Sequence, residues 1–175
     1  SIQFPHPVVI DLENGTELYG KDFSFDRMDP MPTTFDEVQA AIDWLATNKH
    51  SYRTLVIDPI TVLWEMIQKK WSDIFMLRNR TGKGYKHEFY NLQPHDWMTI
   101  KDEWKGFLRK LVRLDLNVIV TARQKAQYAD GEMMRKIGET FDGEKTLPYI
   151  FDTVLRMEKR DGKYYAKCMT KDRSH

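Results

Sequence analysis

Three short apolar runs, each closed by a polar residue, set the terms for any fold this chain can adopt. Val8-Val9-Ile10 runs into Asp11 and Glu13, Thr54-Leu55-Val56-Ile57 into Asp58, and Asn117-Val118-Ile119-Val120 into Thr121, Arg123 and Gln124. Such runs are apolar at consecutive rather than alternate positions, so they read as strands buried on both faces. Helical patterns lie between them. Thr34-Phe35-Asp36-Glu37 is a capping box, followed by Val38, Ile42 and Leu45 at helical spacing to about Lys49. Pro59 suits the first turn of a second helix, whose apolar face carries Ile60, Leu63, Trp64, Ile67, Trp71 and Phe75. Asp96 or Thr99 opens a third, with Ile100, Trp104, Leu108 and Leu111. Buried strands separated by amphipathic helices predict an α/β domain with a mostly parallel central sheet flanked by helices. Asp161-Gly162, set between two alternating stretches, predicts a closing antiparallel hairpin.

The remaining segments are less patterned. Residues 20–33, with Pro30 and Pro32, read as a loop holding one short strand, and residues 78–94 as a long exposed loop. Residues 123–145 are polar and rich in charge and Gly, and read as mobile. Trp44, Trp64, Trp71 and Trp104 lie on apolar helix faces and are assigned to the core, and Cys168 to a small buried position in a strand. A length of 175 residues suits one domain. With 27 Lys+Arg against 26 Asp+Glu, net charge selects no class of partner. No apolar run approaches the roughly 20 residues of a membrane-spanning helix. The single cysteine excludes an internal disulfide and fits a reducing, intracellular compartment. The five histidines lack the close pairing of a zinc site.

Chemistry is expected where open parallel sheets bind ligands, beyond the carboxyl ends of the strands. An acid after a run such as Leu-Val-Ile can position Mg²⁺ at a nucleotide phosphate, usually through water. Taken alone, Asp58 reads better as the cap of the following helix; three polar strand ends on one edge make the stronger case for a site. Gly82-Lys83-Gly84 is no phosphate cradle, because Leu77 stands where the first glycine belongs and Gly84 where Ser or Thr is needed.

The ordered set of residues 8–16 (VVIDLENGT), 54–65 (TLVIDPITVLWE), 118–125 (VIVTARQK), 147–156 (LPYIFDTVLR) and 170–174 (TKDRS) resembles the RecA-type P-loop ATPases. Within that superfamily it is similar to the short phage-encoded ATPases of single-strand annealing and recombination. The resemblance covers residues 4–174 and implies a single RecA-like nucleotide-binding domain that takes ATP and Mg²⁺. It implies that Asp58 is the Walker B acid and metal-positioning residue, with Asp11 and Thr121 beside the nucleotide. Glu13 matches the glutamate that activates the attacking water. Thr121 and Gln124 match the group that senses the γ-phosphate, and Lys171 and Arg173 the Lys-x-Arg pair inserted into a neighbouring subunit's site. A homo-oligomer, ring or filament, follows from that last match, as does a cytoplasmic location in a bacterial host for a phage-encoded protein. The family's Gly-rich loop immediately precedes the segment that here begins at Ser1, so the resemblance implies that the first strand, that loop and most of the first helix are missing from this chain. Without that loop the chain alone is expected to bind nucleotide poorly.

The family's two DNA-lining loops correspond here to residues 78–94 and 125–145. The first carries Arg78, Arg80, Lys83, Tyr85 and Lys86, cations interleaved with rings, which suits single-stranded DNA; an exposed loop folding its rings onto the core fits equally well. Two other functions stay open. One is a non-catalytic nucleic-acid- or protein-binding module on the same fold. The other, more remote, is a haloacid-dehalogenase-like phosphatase, because Asp11-Leu12-Glu13-Asn14-Gly15-Thr16 resembles Asp-x-Asp-Gly-Thr with one acid changed and one residue added.

Overall fold

The computed structural model describes residues 3–79, 92–128 and 136–169. The chain divides into two compact units, Ser1–Gly143 and Glu144–His175.

The first unit is built on a four-stranded parallel sheet of β1 (Pro7–Asp11), β2 (Asp26–Arg27), β3 (Thr54–Asp58) and β4 (Asn117–Val120) in the order β2-β1-β3-β4. Val8, Val9, Ile10, Leu55, Val56 and Ile57 are all buried, so both faces of β1 and β3 are covered, as their unbroken apolar runs require. β4 departs from expectation. It stands at the edge of the sheet, and its apolar residues are half-exposed.

Among the described residues three α-helices connect the strands: α1 (Phe35–Thr47), α2 (Ile60–Asn79) and α3 (Asp96–Leu111). Helix α1 starts where the capping box places it. The Thr34 hydroxyl accepts from the Glu37 amide at 3.3 Å, and the Glu37 carboxylate accepts from the Thr34 amide at 3.1 Å. Hydrogen bonds from Thr33 chiefly hold that carboxyl below its ordinary pKa. Replacing Thr34 by alanine is expected to cost about 1 kcal/mol, read from the urea midpoint.

The helices pack on one another through rings. Phe35 lies 6.3 Å from Trp104 and 5.4 Å from Phe107, and Trp64 lies 5.2 Å from Trp104. Lys70 ties all three helices, donating to Asp36 of α1 and Glu103 of α3 at 2.6 Å each. Desolvation opposes its charge, but the two carboxylates outweigh it and hold the ammonium above its ordinary pKa. Trp44, assigned to the core from its spacing, is 45% exposed and stacks on His50 instead.

Helix α2 runs through Asn79, so Arg78 sits in its last turn rather than in a loop. Residues 123–145, read as mobile, include an antiparallel pair, β5 (Gln124–Tyr128) and β6 (Lys136–Phe141). Polar pairs hold its base where apolar residues are few: Gln124 donates to Glu139, and Lys125 meets Asp142 at 2.7 Å.

In the second unit, β7 (Leu155–Arg160) and β8 (Lys163–Cys168) form the expected hairpin. Asp161 and Gly162 both take positive φ (49° and 76°), the type I′ turn that matches strand twist. Cys168, expected to be buried, is exposed.

Candidate functional site at the carboxyl edge of the sheet

Parallel pairing of β1 with β3 sets Asp11 opposite Asp58. The chain beyond β1 stays there, because the Leu12 amide donates to the Asp58 carbonyl at 2.8 Å. Beyond β4, the Thr121 amide donates to the Ile57 carbonyl at 3.1 Å and the Thr121 carbonyl accepts from the Ile60 amide at 2.8 Å. The ends of all three strands are thereby locked to the start of α2.

The two aspartates do different things. Asp11 is buried, and its carboxylate accepts from the amides of Glu13 (3.3 Å), Gly15 (3.1 Å) and Thr16 (2.8 Å) and from the Thr16 hydroxyl. Arg27 lies 3.6 Å away. With its oxygens occupied in this way, Asp11 organises the loop after β1 and is poorly placed to act as a nucleophile. Asp58 is half-buried and accepts a hydrogen bond from the Thr121 hydroxyl.

Glu13 is exposed at the same edge and ion-pairs with Arg123. The Arg123 guanidinium also lies 3.7 Å from Glu65 of α2. Thr61, buried in the first turn of α2, accepts from the Arg123 amide at 3.0 Å and donates to the Asp142 carbonyl at 2.6 Å. In the sequence Arg123 shows only as part of a polar strand end; its pairing with Glu13 and Glu65, and the contacts of Thr61, have no local sequence signal. Gln124 begins β5, and its side chain turns to Glu139 of β6.

Thus the edge gathers Asp11, Glu13, Asp58 and Thr121, with Gln124 adjacent in the chain but bonded within the ribbon. Arg78 lies in α2 with its guanidinium 6.0 Å from the Phe75 ring centroid. Arg80, Lys83, Tyr85, Lys86, Lys171 and Arg173 lie outside the described residues.

Among the described residues, no group of three or more His, Cys, Asp or Glu could hold a metal ion by itself. One half-buried carboxylate beside a hydroxyl does suit Mg²⁺, which keeps several waters and shares its shell with substrate phosphates. Asp58 is the residue with that character. No described helix is long and apolar enough to cross a membrane. Compared with known proteins, residues 1–174 match the model of a family described as AAA domain. No curated protein matches the chain.

Proposed function

Because the chain belongs to the AAA domain family, within the P-loop ATPase superfamily, we propose that it is an ATP-binding, ATP-hydrolysing protein of RecA-like organisation. The observation that carries this reading is the shared edge: Asp58 with the Thr121 hydroxyl on it, and Glu13 held by Arg123 beyond the neighbouring strand. Asp58 would hold Mg²⁺ through water, and that ion screens phosphate charge when bound. Glu13 would orient a water and accept its proton as the water oxygen bonds to the γ-phosphorus and ADP leaves. Arg123 sits between two carboxylates; drawing its guanidinium toward phosphate would release Glu13 for that work. Thr121 and Gln124 report the presence of the γ-phosphate.

The half-exposed apolar residues of β4, at the edge of the sheet, are compatible with a further strand pairing beside it. The biological task is phage-type recombination or single-strand annealing in the host cytoplasm, coupling nucleotide state to single-stranded DNA. Lys171 and Arg173 would reach a neighbouring subunit's site in a ring or filament and stabilise transition-state charge there.

The test is a nucleotide titration of the full-length protein. Asp58→Ala is expected to remove the gain in ATP affinity that Mg²⁺ provides, about tenfold. Unchanged affinity in Mg²⁺ would overturn the role of Asp58.

A further inference from the structure

The β7–β8 hairpin has two unlike faces. Register sets Arg156 opposite Lys167, Glu158 opposite Tyr165, and Arg160 opposite Lys163 on one face. The other face pairs Leu155 with Cys168, Met157 with Ala166, and Lys159 with Tyr164. The first face carries four cations against one acid, in a chain whose net charge is only +1.

Like charges directly opposed across a ribbon are destabilising, and this face has two such pairs. Glu158 relieves one strand, lying 3.3 Å from Arg156 and bonded to Arg160. Arg160 first, and the charges of Arg156 and of Lys167 across the ribbon, hold its carboxyl below the usual range against partial desolvation. Lys163 and Lys167 are exposed, and no acid among the described residues lies within ion-pair distance of either. Tyr165 stands between them on the same face, 49% exposed. Same-face neighbours along a strand are about 6.8 Å apart, so the ring is framed by cations at its corners.

We propose that this face of the β7–β8 ribbon is a binding surface for single-stranded nucleic acid. Cations that take phosphates, set around a ring on which a base can stack, are what sequence-tolerant single-strand binding needs. A lipid surface fits less well. The exposed apolar residues Leu155 and Met157 lie on the opposite face, so burying them in a bilayer would turn Lys163 and Lys167 away from the headgroups. The inference rests on the nucleic-acid part of the function proposed above and assigns it to residues outside the nucleotide edge.

The experiment is fluorescence anisotropy of the full-length protein with labelled oligo-dT of roughly 20 nucleotides, longer than typical site sizes, without nucleotide and over a salt series. Lys163→Ala with Lys167→Ala is expected to weaken binding about tenfold near physiological salt and to flatten the log–log salt slope by about 1.4. Lys163→Arg with Lys167→Arg should bind as the parent does. Tyr165→Ala should lose about fivefold or more, and Tyr165→Phe should not; this pair decides the question alone if the alanine pair disturbs the fold. Parent-like affinity and slope in the alanine pair, or in Tyr165→Ala, would overturn the assignment. So would binding to phosphatidylserine vesicles through Lys163 and Lys167 with no binding to oligo-dT. Mg²⁺-dependent ATP binding, measured on the same variants, keeps the two readings apart: failure at the ribbon with ATP binding intact sinks only the ribbon.

Discussion

Glu13→Gln is expected to lower kcat for ATP hydrolysis by about 10²- to 10⁴-fold, the range that general-base catalysis supplies, while ATP affinity stays within about twofold. The amide matches the carboxylate in shape and still accepts a hydrogen bond, but it cannot take a proton at neutral pH. The substitution also loosens the partner. Arg123 loses its main anion and, among the described residues, keeps Glu65, 3.7 Å away. If Glu13 served only as a surface ion-pair partner, the change would matter little, because exposed pairs contribute at most about 1 kcal/mol. Steady-state kinetics and equilibrium binding on the full-length protein separate the two. A rate within twofold of the parent would remove Glu13 from the chemistry.

Trp104→Ala is expected to destabilise the protein by about 3–5 kcal/mol, the cost of deleting a large buried ring. Trp104 is 1% exposed and lies within ring-contact range of Phe35, Trp64 and Phe107, so it joins all three helices at one point. None of those neighbours can close the space without leaving its own packing. The indole N–H has no hydrogen-bond partner among the described residues. Trp104→Phe removes that unpaired donor along with part of the ring, so its loss should be much smaller than that of alanine. Urea unfolding followed by circular dichroism measures both. An alanine variant within 1 kcal/mol of the parent would show that the helices are not held together here.

What could be read from the residues in order is what local rules govern. The β1 and β3 runs, the Thr34–Glu37 box and the Asp161-Gly162 turn each carry their instruction within a few residues, and each forms as expected. The gathering of residues at one edge was legible for the same reason: a polar residue closing an apolar strand must emerge at the strand's end, which brings Glu13, Asp58 and Thr121 together. Long-range partners were not legible. Arg123 and Glu13 are 110 positions apart, and no pattern near either names the other. That the loop after β1 closes back on the Asp11 carboxylate is a matter of backbone path, with no local signal in the sequence. The β5–β6 ribbon hid behind weak apolar alternation, since cross-strand polar pairs at its base do what packing does elsewhere. Trp44 shows the converse: helical spacing places a side chain on a face but does not say whether another element covers it.

One small contact has a mechanical consequence. Thr61 grips both flanks of the ribbon base, Arg123 through its amide and Asp142 through its carbonyl, from a position three residues beyond Asp58. A tug on the ribbon would therefore travel through one hydroxyl, less than a helical turn, to the acid expected to steady the metal. Because Arg123 is itself one of the gripped residues, the same tug would also shift the cation that restrains Glu13. A load borne at the ribbon and the readiness of the proposed hydrolytic site would then rise and fall together.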